Sequence, residues 1–312
     1  MTFTHRLHPT LLIPTLLLLT AIGACGGGSS ASGRLTLSLT DAPVDTADAV
    51  VIHFTAIVVQ RDNGGPRSEY SLTDPVTHQP GRSIDLLQLN SGKSTVLFDR
   101  SLPAGSYSWI RLAVDFDPQK TYIEIGGLRY ALSCVSCEQN GLKLNRSFSL
   151  DGNGPLSLTL DFDLRKSITD PNSNHDYKLR PTIRIVETAP AGIITGAVSE
   201  SLMTPLGGCS VYVYEGMNVI PGDIYLPLDG TTPTGARTPV TTAPVIYDSD
   251  TATYTYRAAY LPAGAYTIAL TCDGEEDNPL QADTGVTFYG TDNVNVTPGE
   301  ITNFNFNMPP PA

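Results

Sequence analysis

The sequence has few charged residues, few basic ones among them, a single tryptophan and no long apolar run beyond its N-terminal segment. Charged residues make up 16% of the 312 residues, against ~25% in typical soluble domains, which argues against coiled coils and long charged helices. Lys and Arg number 19 against 31 Asp and Glu, so the net charge is −12. Because such a surface repels phosphate backbones, nucleic acid is not expected as a partner.

Glycine and proline are plentiful, at 28 and 24 residues, and this balance favours turn-rich β structure. Residues 156–164 alternate apolar and polar side chains without a slip, as a strand with one buried face requires. Similar runs occupy residues 34–40, 49–60, 106–115, 177–186, 208–214, 251–260 and 265–272. Residues 84–89 are the main helical candidate. The pattern predicts an all-β fold with two antiparallel immunoglobulin-like or transthyretin-like β-sandwiches.

The N-terminal segment predicts export. Arg6 precedes an apolar run at residues 11–21 that is too short for a stop-transfer span, and Ile22-Gly23-Ala24-Cys25 follows. These four residues resemble a bacterial lipobox, which implies cleavage before Cys25 and attachment of acyl chains such as palmitate. Because two lipid signals already anchor a protein stably, Cys25 would hold it at the membrane. By resemblance to the usual sorting pattern, Gly26 in place of Asp indicates the outer membrane. An ordinary secretory signal with an incidental cysteine is the alternative.

Charge divides the rest of the chain. After a signal peptide at residues 1–24, residues 25–33 form a Gly/Ser tether behind the lipidated cysteine. Residues 34–187 carry 16 basic and 18 acidic side chains, whereas residues 188–312 carry two and 13, with no lysine. The change coincides with a Pro/Gly break at residues 189–192, which predicts domains at 34–188 and 189–312.

One hexapeptide occurs in both predicted domains, at residues 102–107 (LPAGSY) and 261–266 (LPAGAY). In each copy the Pro-x-Gly segment predicts a turn that leads into a strand, with the tyrosine at the start of the strand. Two unrelated turns remain the alternative.

Several motifs of the first domain occur in the order found in a known family. They are Leu37-Ser38-Leu39-Thr40-Asp41-Ala42-Pro43-Val44-Asp45, Ile84-Asp85-Leu86-Leu87, residues 102–107 with Ile110-Arg111-Leu112, Gly141-Leu142-Lys143-Leu144, residues 160–167 and Tyr177-Lys178-Leu179-Arg180-Pro181. Along about half the chain they resemble the bacterial family catalogued as domain of unknown function 4382. The resemblance implies a lipoprotein with a β domain of unassigned activity. The second domain is more loosely similar to carboxypeptidase-regulatory-like, transthyretin-like sandwiches, through residues 194–198, 208–213 and 261–270.

Four cysteines remain after Cys25, an even number in an oxidising compartment. Cys209 and Cys272 share the strand phase of core residues, which predicts a disulfide worth roughly 2–4 kcal/mol; free buried thiols are the alternative. Cys134 and Cys137 form a C-x-x-C motif, which suits a local disulfide, a redox pair or half a zinc site. The local disulfide is preferred, because no helix follows to activate a thiol and no further ligands have metal spacing.

Carboxylates raise two further possibilities. The loop containing Asp273, Glu275, Glu276 and Asp277 offers oxygen ligands for Ca²⁺, although the regular calcium-loop pattern is absent and a solvated acidic loop is the simpler interpretation. Same-face pairs at residues 115/117, 161/163 and 248/250 leave open a glycan hydrolase that uses two carboxylates. No catalytic residue is assigned and no other cofactor is expected, because nucleophile-elbow, zinc-protease and phosphate-loop motifs are missing from the sequence.

Two tyrosine pairs suggest binding. Tyr212 and Tyr214 fall on the phase opposite to the core residues and are expected to be exposed, and Tyr254 and Tyr256 form another same-face pair. Exposed tyrosines on a β face stack sugars or anchor proteins; covering a sandwich edge or the domain junction is the alternative. The sequence thus favours a lipid-anchored, non-catalytic envelope module with glycan or protein partners, over an extracytoplasmic glycan hydrolase or a spacer without a ligand.

Overall fold

The computed structural model describes residues 1–2, 31–42, 47–138, 140–152, 154–171, 173–203, 208–225, 237–282 and 285–307. Cys25, Gly26 and the apolar run at residues 11–21 lie outside these ranges. Among the described residues, no helix is both long enough and apolar enough to cross a membrane.

Strands dominate the first half of the described chain, as predicted. They are β1 (Ser32–Ala42), β2 (Ala49–Arg61), β3 (Arg67–Ser71), β4 (Arg82–Asp85), β5 (Thr95–Pro103), β6 (Gly105–Val114), β7 (Tyr122–Ile125), β8 (Leu128–Ala131), β9 (Leu142–Leu144), β10 (Phe148–Leu150), β11 (Pro155–Asp163), β12 (Ile168–Thr169), β13 (Lys178–Leu179) and β14 (Ile183–Glu187). The helical candidate becomes a single 3₁₀ turn, Leu86–Leu89, which Asp85 caps by accepting from the Leu87 N–H. One α-helical turn, α1 (Leu164–Ser167), follows β11 directly.

The second half contains a 3₁₀ turn, Glu200–Leu202, and seven strands among its described residues. The strands are β15 (Gly192–Val198), β16 (Ser210–Glu215), β17 (Thr241–Asp248), β18 (Thr253–Leu261), β19 (Gly264–Thr271), β20 (Phe288–Val296) and β21 (Ile301–Asn303).

The first sandwich packs a four-stranded sheet, in the order β14-β11-β1-β5, on a larger sheet built around β10-β6-β2-β7-β8. Strands β3 and β4 pair with β2, and β9 pairs with β6. The alternation in β1 places Leu35, Leu37 and Leu39 wholly in the core, since every second side chain of a strand faces the same way. Most ladders are antiparallel, but β1 and β11 pair in parallel.

In the second sandwich, β17 belongs to both layers. Its first part, to Pro244, pairs with β16, and its second part, from Val245, pairs with β18. Strands β19 and β20 extend the first layer, whereas β15 and β21 extend the second. The pairing of β15 with β21 is the second parallel one among the described strands.

The repeated hexapeptide makes the same structure twice. The Tyr107 hydroxyl donates to the Pro103 carbonyl at 2.7 Å, and the Tyr266 hydroxyl donates to the Pro262 carbonyl at 2.8 Å. Both tyrosines are buried at the start of an inner strand. A tyrosine that bonds back to the chain a few residues upstream fixes the corner of a sandwich, so the two copies are equivalent structural elements.

Each sandwich has its own hydrophobic core. The first core draws its buried residues from positions 35–179 and the second from positions 194–306. Residues 31–312 nevertheless form one compact unit. The contacts that join the two sandwiches are polar and buried, and they contain several of the residues that the sequence singled out.

Candidate functional site

Both predicted disulfides are present. Cys209, just before β16, is joined to Cys272, just after β19, with Cα atoms 3.8 Å apart. Cys134 is joined to Cys137 within one turn, with Cα atoms 5.2 Å apart. Cys209, Cys134 and Cys137 are buried in the hydrophobic cores. Each disulfide therefore links two positions of one sandwich at its hydrophobic core.

The prediction that Tyr212 and Tyr214 are exposed is wrong, because both side chains are fully buried. Their strand phase is opposite to that of Val211 and Val213, as predicted, but the second face of β16 is covered too. Ile224 and Phe288 pack over it and form a small separate cluster with the two tyrosines. Neither tyrosine can stack a ligand from solvent.

The second tyrosine pair is divided between core and surface. Tyr256 is 1% exposed, and its hydroxyl donates to the Phe304 carbonyl at 2.9 Å. Tyr254 is half-buried and lies against Tyr247, with ring centroids 5.2 Å apart. The paired binding face expected here is therefore absent, although Tyr247 and the edge of Tyr254 remain accessible.

Tyr212 belongs instead to a polar contact between the sandwiches, which we call the junction. On the first sandwich the junction consists of Asp161, Asp163, Arg165, Lys166 and Arg184, and on the second of Ser210, Tyr212, Pro239, Tyr260 and Asp277. The helical turn α1 begins at an Asp163 cap, whose carboxylate accepts from the Lys166 N–H at 3.1 Å. Two consecutive cations, Arg165 and Lys166, lie in this helical turn, and both side chains contact the second sandwich.

Arg165 is only 4% exposed. Its guanidinium donates to the Tyr212 hydroxyl and to the Ser210 hydroxyl, both at 3.2 Å. The Tyr212 hydroxyl in turn donates to Asp277 at 2.7 Å, and the Ile224 N–H donates to the same carboxylate at 3.2 Å. Burial raises the pKa of Asp277 to about 6, although these hydrogen bonds and the positive charge of Arg165 oppose the rise.

Lys166 and Arg184 make two further links. The Lys166 ammonium donates to the Pro239 carbonyl at 2.5 Å and lies 2.7 Å from the Asp163 carboxylate. Arg184, on β14, donates to Asp161 at 2.5 Å and to the Tyr260 carbonyl at 2.9 Å. Burial raises the pKa of Asp161, and Arg184 counteracts part of that rise.

A buried acid, Asp41, lies near the carboxylates of Asp161 and Asp163. Its side chain is wholly enclosed and accepts from the Leu164 N–H at 3.3 Å. Burial, with the neighbouring carboxylates of Asp161 and Asp163, raises its pKa well above the usual value. Such surroundings favour the protonated form of the carboxyl.

The carboxylates of the acidic loop lie in different environments, because one of them takes part in the junction. Asp277 is buried in the junction, whereas Glu275 and Glu276 are exposed, and Asp273 accepts from the Thr287 N–H at 2.7 Å. No three His, Cys, Asp or Glu side chains of the described residues are grouped closely enough to hold a metal. A Ca²⁺ ion held by all four predicted carboxylates does not fit this arrangement, because Asp277 is committed to Tyr212.

The loop approaches α1 closely at Gly274. A Cβ atom at this position would lie 2.7 Å from Nη1 of Arg165, closer than real Cβ contacts allow. The absence of a side chain therefore lets the acidic loop close over the buried guanidinium.

The carboxylate pairs considered for glycan hydrolysis have structural partners. Asp161 and Asp163 are the junction acids bound by Arg184 and Lys166. Asp115 is bound by Lys120 at 2.7 Å. The remaining pair, at residues 248 and 250, forms a surface turn in which the first carboxylate accepts from the second backbone N–H at 2.9 Å.

A polar cleft of about 500 Å³, which the sequence did not reveal, opens between the β9 segment and β14. Its lining includes Cys137, Lys143, Asn145, Arg146, Pro181 and Ile185. The two sides of the cleft come from segments about forty residues apart in the chain, so no local pattern marks it. The nearest signal in the sequence is the pair of cations, Lys143 and Arg146, that follows the Gly141 turn.

Comparisons with known proteins support the family resemblance over part of the chain. Residues 32–181 match the family model described as Domain of unknown function (DUF4382). No curated protein sequence matches this chain.

Solved structures with some likeness include the Bacillus anthracis TIE protein, with 11% identity and a TM-score of 0.21 over 88% of this chain and 33% of that one. This chain therefore spans about a third of that protein's length. The minor pilin of Streptococcus agalactiae has 10% identity and a TM-score of 0.19, covering 89% and 98% of the two chains. The fimbrial anchor protein Mfa2 from Porphyromonas gingivalis has 12% identity and a TM-score of 0.18, covering 79% and 80%. TM-scores this low say nothing about what the chain binds.

Proposed function

We propose that this chain is a cell-envelope lipoprotein, anchored at the outer membrane through Cys25, whose two sandwiches act together as a non-catalytic binding or structural module. The observation that carries the proposal is the junction. Arg165 and Lys166 leave the first sandwich and are buried against the second, so separating the two would remove the Tyr212 and Ser210 hydroxyls from Arg165 and the Pro239 carbonyl from Lys166. Leaving a buried charged group without its hydrogen-bond partners costs about 1–3 kcal/mol or more for each group, and the sandwiches are therefore expected to move as one body.

Rigid coupling suits a protein that presents a fixed surface at the end of a tether. The structure corrects the end of the predicted Gly/Ser tether, because Ser32 and Gly33 belong to β1 and pair with β5. The remaining Gly/Ser residues, 26–30, have no large side chains to pack and would leave the folded body free to reach its partner. The junction also favours binding over glycan hydrolysis, because the buried carboxylates of Asp161 and Asp163 are paired with Arg184 and Lys166. Acids held in this way serve stability and have no route to a substrate.

Membrane fractionation of cells that produce the full chain tests the anchor. We expect the wild-type protein in the outer-membrane fraction and the Cys25→Ala variant in the soluble periplasmic fraction. Gly26→Asp is the matched control, because it keeps the lipidated cysteine and is expected to move the protein to the inner membrane. Recovery of Cys25→Ala with the membranes would overturn the lipoprotein assignment.

Protease treatment of intact cells, followed by immunoblotting for residues 189–312, distinguishes the two possible displays. Loss of this region would place it outside the cell and direct the search to extracellular glycans and proteins. Protection until the outer membrane is opened would place it in the periplasm and direct the search to envelope components. Release of reducing sugar ends from envelope polysaccharide by the purified full chain would overturn the non-catalytic assignment.

A further inference from the structure

A tryptophan and two cations share the outer face of the large sheet in the first sandwich. Trp109 and Arg111 lie two residues apart on β6, and their neighbours Ile110 and Leu112 are fully buried in the core. Since strand side chains alternate between faces, Trp109 and Arg111 face outwards. Lys143, on β9, is directly opposite Arg111 in the ladder. We call these three side chains the cationic face.

The two cations flank the indole ring. The Arg111 guanidinium carbon lies 5.7 Å from the ring centroid, and the Lys143 ammonium lies 5.0 Å from it. These distances are within the range of cation–π attraction. Trp109 and Arg111 are half-buried and Lys143 is exposed, so the ring and both charges can be reached from solvent.

The charges on the cationic face are not compensated. Like charges directly opposite on neighbouring strands repel each other, and in the described part of the chain neither Arg111 nor Lys143 forms an ion pair. Three exposed cations of this sandwich have carboxylate partners, in the pairs Arg34–Asp99, Lys120–Asp115 and Arg129–Glu124, and what distinguishes Arg111 and Lys143 is that they lie opposite each other beside an aromatic ring. In a chain of net charge −12, two cations without a carboxylate partner lie side by side and attract external anions.

The polar cleft continues this face. Lys143 lines the cleft as well as flanking the tryptophan. The volume of about 500 Å³ is within the range of small-molecule sites. Asn145 lines the same wall, and Arg146 beside it donates to the Ile185 carbonyl at 2.9 Å and lies 3.7 Å from the Glu187 carboxylate. A ligand that lies on the ring of Trp109 can therefore extend into the cleft past Lys143.

We propose that the cationic face and the adjoining cleft bind an acidic saccharide, a chain of pyranose rings that carry carboxylate groups. The part of the indole ring that the two cations leave uncovered packs against the C–H groups of a sugar ring, while Arg111 and Lys143 bind carboxylates, the first in a two-pronged geometry. A nucleic-acid strand also has rings and anions, but its dense charge is repelled by the acidic remainder of the protein. The proposal deepens the binding function proposed above and rests on it.

Trp109 provides its own reporter, because it is the single tryptophan of the chain. The experiment is a fluorescence titration of the purified full chain with oligogalacturonate, with the fully methyl-esterified oligomer as the neutral probe. We expect a saturable change in emission with the acidic oligomer that weakens as salt is added, and none with the ester. Arg111→Gln and Lys143→Gln should each raise the Kd about tenfold or more, since each removes a charge-assisted contact.

Arg129→Gln is the matched control. Arg129 also lies over an aromatic ring, 4.3 Å from the Tyr122 centroid, but it is already paired with Glu124 at 2.9 Å. Its substitution should leave the titration unchanged. All three substitutions are at accessible positions, and circular dichroism checks that each variant is folded.

Several results would overturn the proposal. They are an equal response to the methyl ester, no response of Trp109 to the acidic oligomer, or a Kd unaffected by Arg111→Gln and Lys143→Gln. Tighter binding of single-stranded oligodeoxythymidylate or of phosphatidylglycerol vesicles would assign the face to another anion. If the titration failed but the wild-type chain fractionated with the outer membrane, only the saccharide proposal would be rejected. If the titration succeeded but the wild-type chain were soluble, only the lipid anchor would be rejected.

Discussion

Replacing Arg165 with methionine tests whether the junction makes the two sandwiches one cooperative unit. Methionine keeps an unbranched side chain but removes the charge and all the donors. Tyr212 and Ser210 each lose a partner at 3.2 Å, and the buried Asp277 carboxylate loses the positive charge that favours its ionised form. Removing one member of a buried ionic group costs about 3–5 kcal/mol. This is a large part of the ~5–15 kcal/mol that stabilises a typical folded protein.

The assay is equilibrium unfolding in urea, followed by two probes that report on different sandwiches. Trp109 fluorescence follows the first sandwich, and amide hydrogen exchange in β16 and β19, measured by mass spectrometry, follows the second. In the wild-type chain the two transitions should coincide, as expected for a cooperative unit. In Arg165→Met the transition of the second sandwich should move to lower urea and separate from the first.

Arg129→Met is the control for loss of an arginine in general. Its partner Glu124 is near the surface and the Arg129 side chain is 61% exposed, so the cost should stay below about 1 kcal/mol. The reasoning would be refuted if Arg165→Met cost no more than this control and both probes still coincided. It would also be refuted if Arg165→Met had the same cost in an Asp277→Asn background, since two residues that share the Tyr212 hydroxyl as a hydrogen-bond partner are expected to show a coupling energy.

Two further predictions concern stability. Burial raises the pKa of Asp277 from 3.8 to about 6, so its contribution to stability is full below pH 3.8 and is lost as the pH rises through about 6. The Tm of the wild-type chain should therefore fall more between pH 4 and pH 7 than that of Asp277→Asn, and identical profiles would contradict this. The two disulfides should contribute differently to the free energy of unfolding, because Cys209–Cys272 spans 63 residues and Cys134–Cys137 spans three. Replacing the first pair with alanine should lower the free energy of unfolding by about 4 kcal/mol, and replacing the second pair should lower it by about 2 kcal/mol. Urea unfolding of both double variants without reductant measures these losses, and the reverse order would contradict the chain-entropy argument.

The strands and their inward faces could be predicted because they depend on local alternation. Leu35, Leu37 and Leu39 are all buried, as their spacing requires. The parallel pairing of β1 with β11 could not be predicted in this way, since Leu35 pairs with Leu156, about 120 residues further along the chain. An alternating pattern identifies which side chains share a face, but it does not encode which strand lies alongside.

The tyrosines show the same limit at the site. Strand phase correctly placed Tyr212 and Tyr214 opposite the core residues of β16. Whether that second face meets water depends on what covers it, and the covering residues are distant in sequence. Ile224 and Phe288 come from other segments of the second sandwich, and Arg165 comes from the first. The alternation of side chains along one strand does not predict contacts with segments that are distant in the sequence.

The charge contrast between the two halves of the chain acquires a physical role in the junction. Residues 188–312 contain two basic side chains against 13 acidic ones, and the buried acid Asp277 takes part of its positive surroundings from Arg165 of the first sandwich. Lys166 and Arg184 likewise cross over, to the Pro239 and Tyr260 carbonyls. The three cations of the junction therefore all belong to the first half of the chain. Expressed alone, residues 189–312 would retain the acid without the guanidinium, so the contrast that marks the predicted boundary also makes the two sandwiches depend on each other.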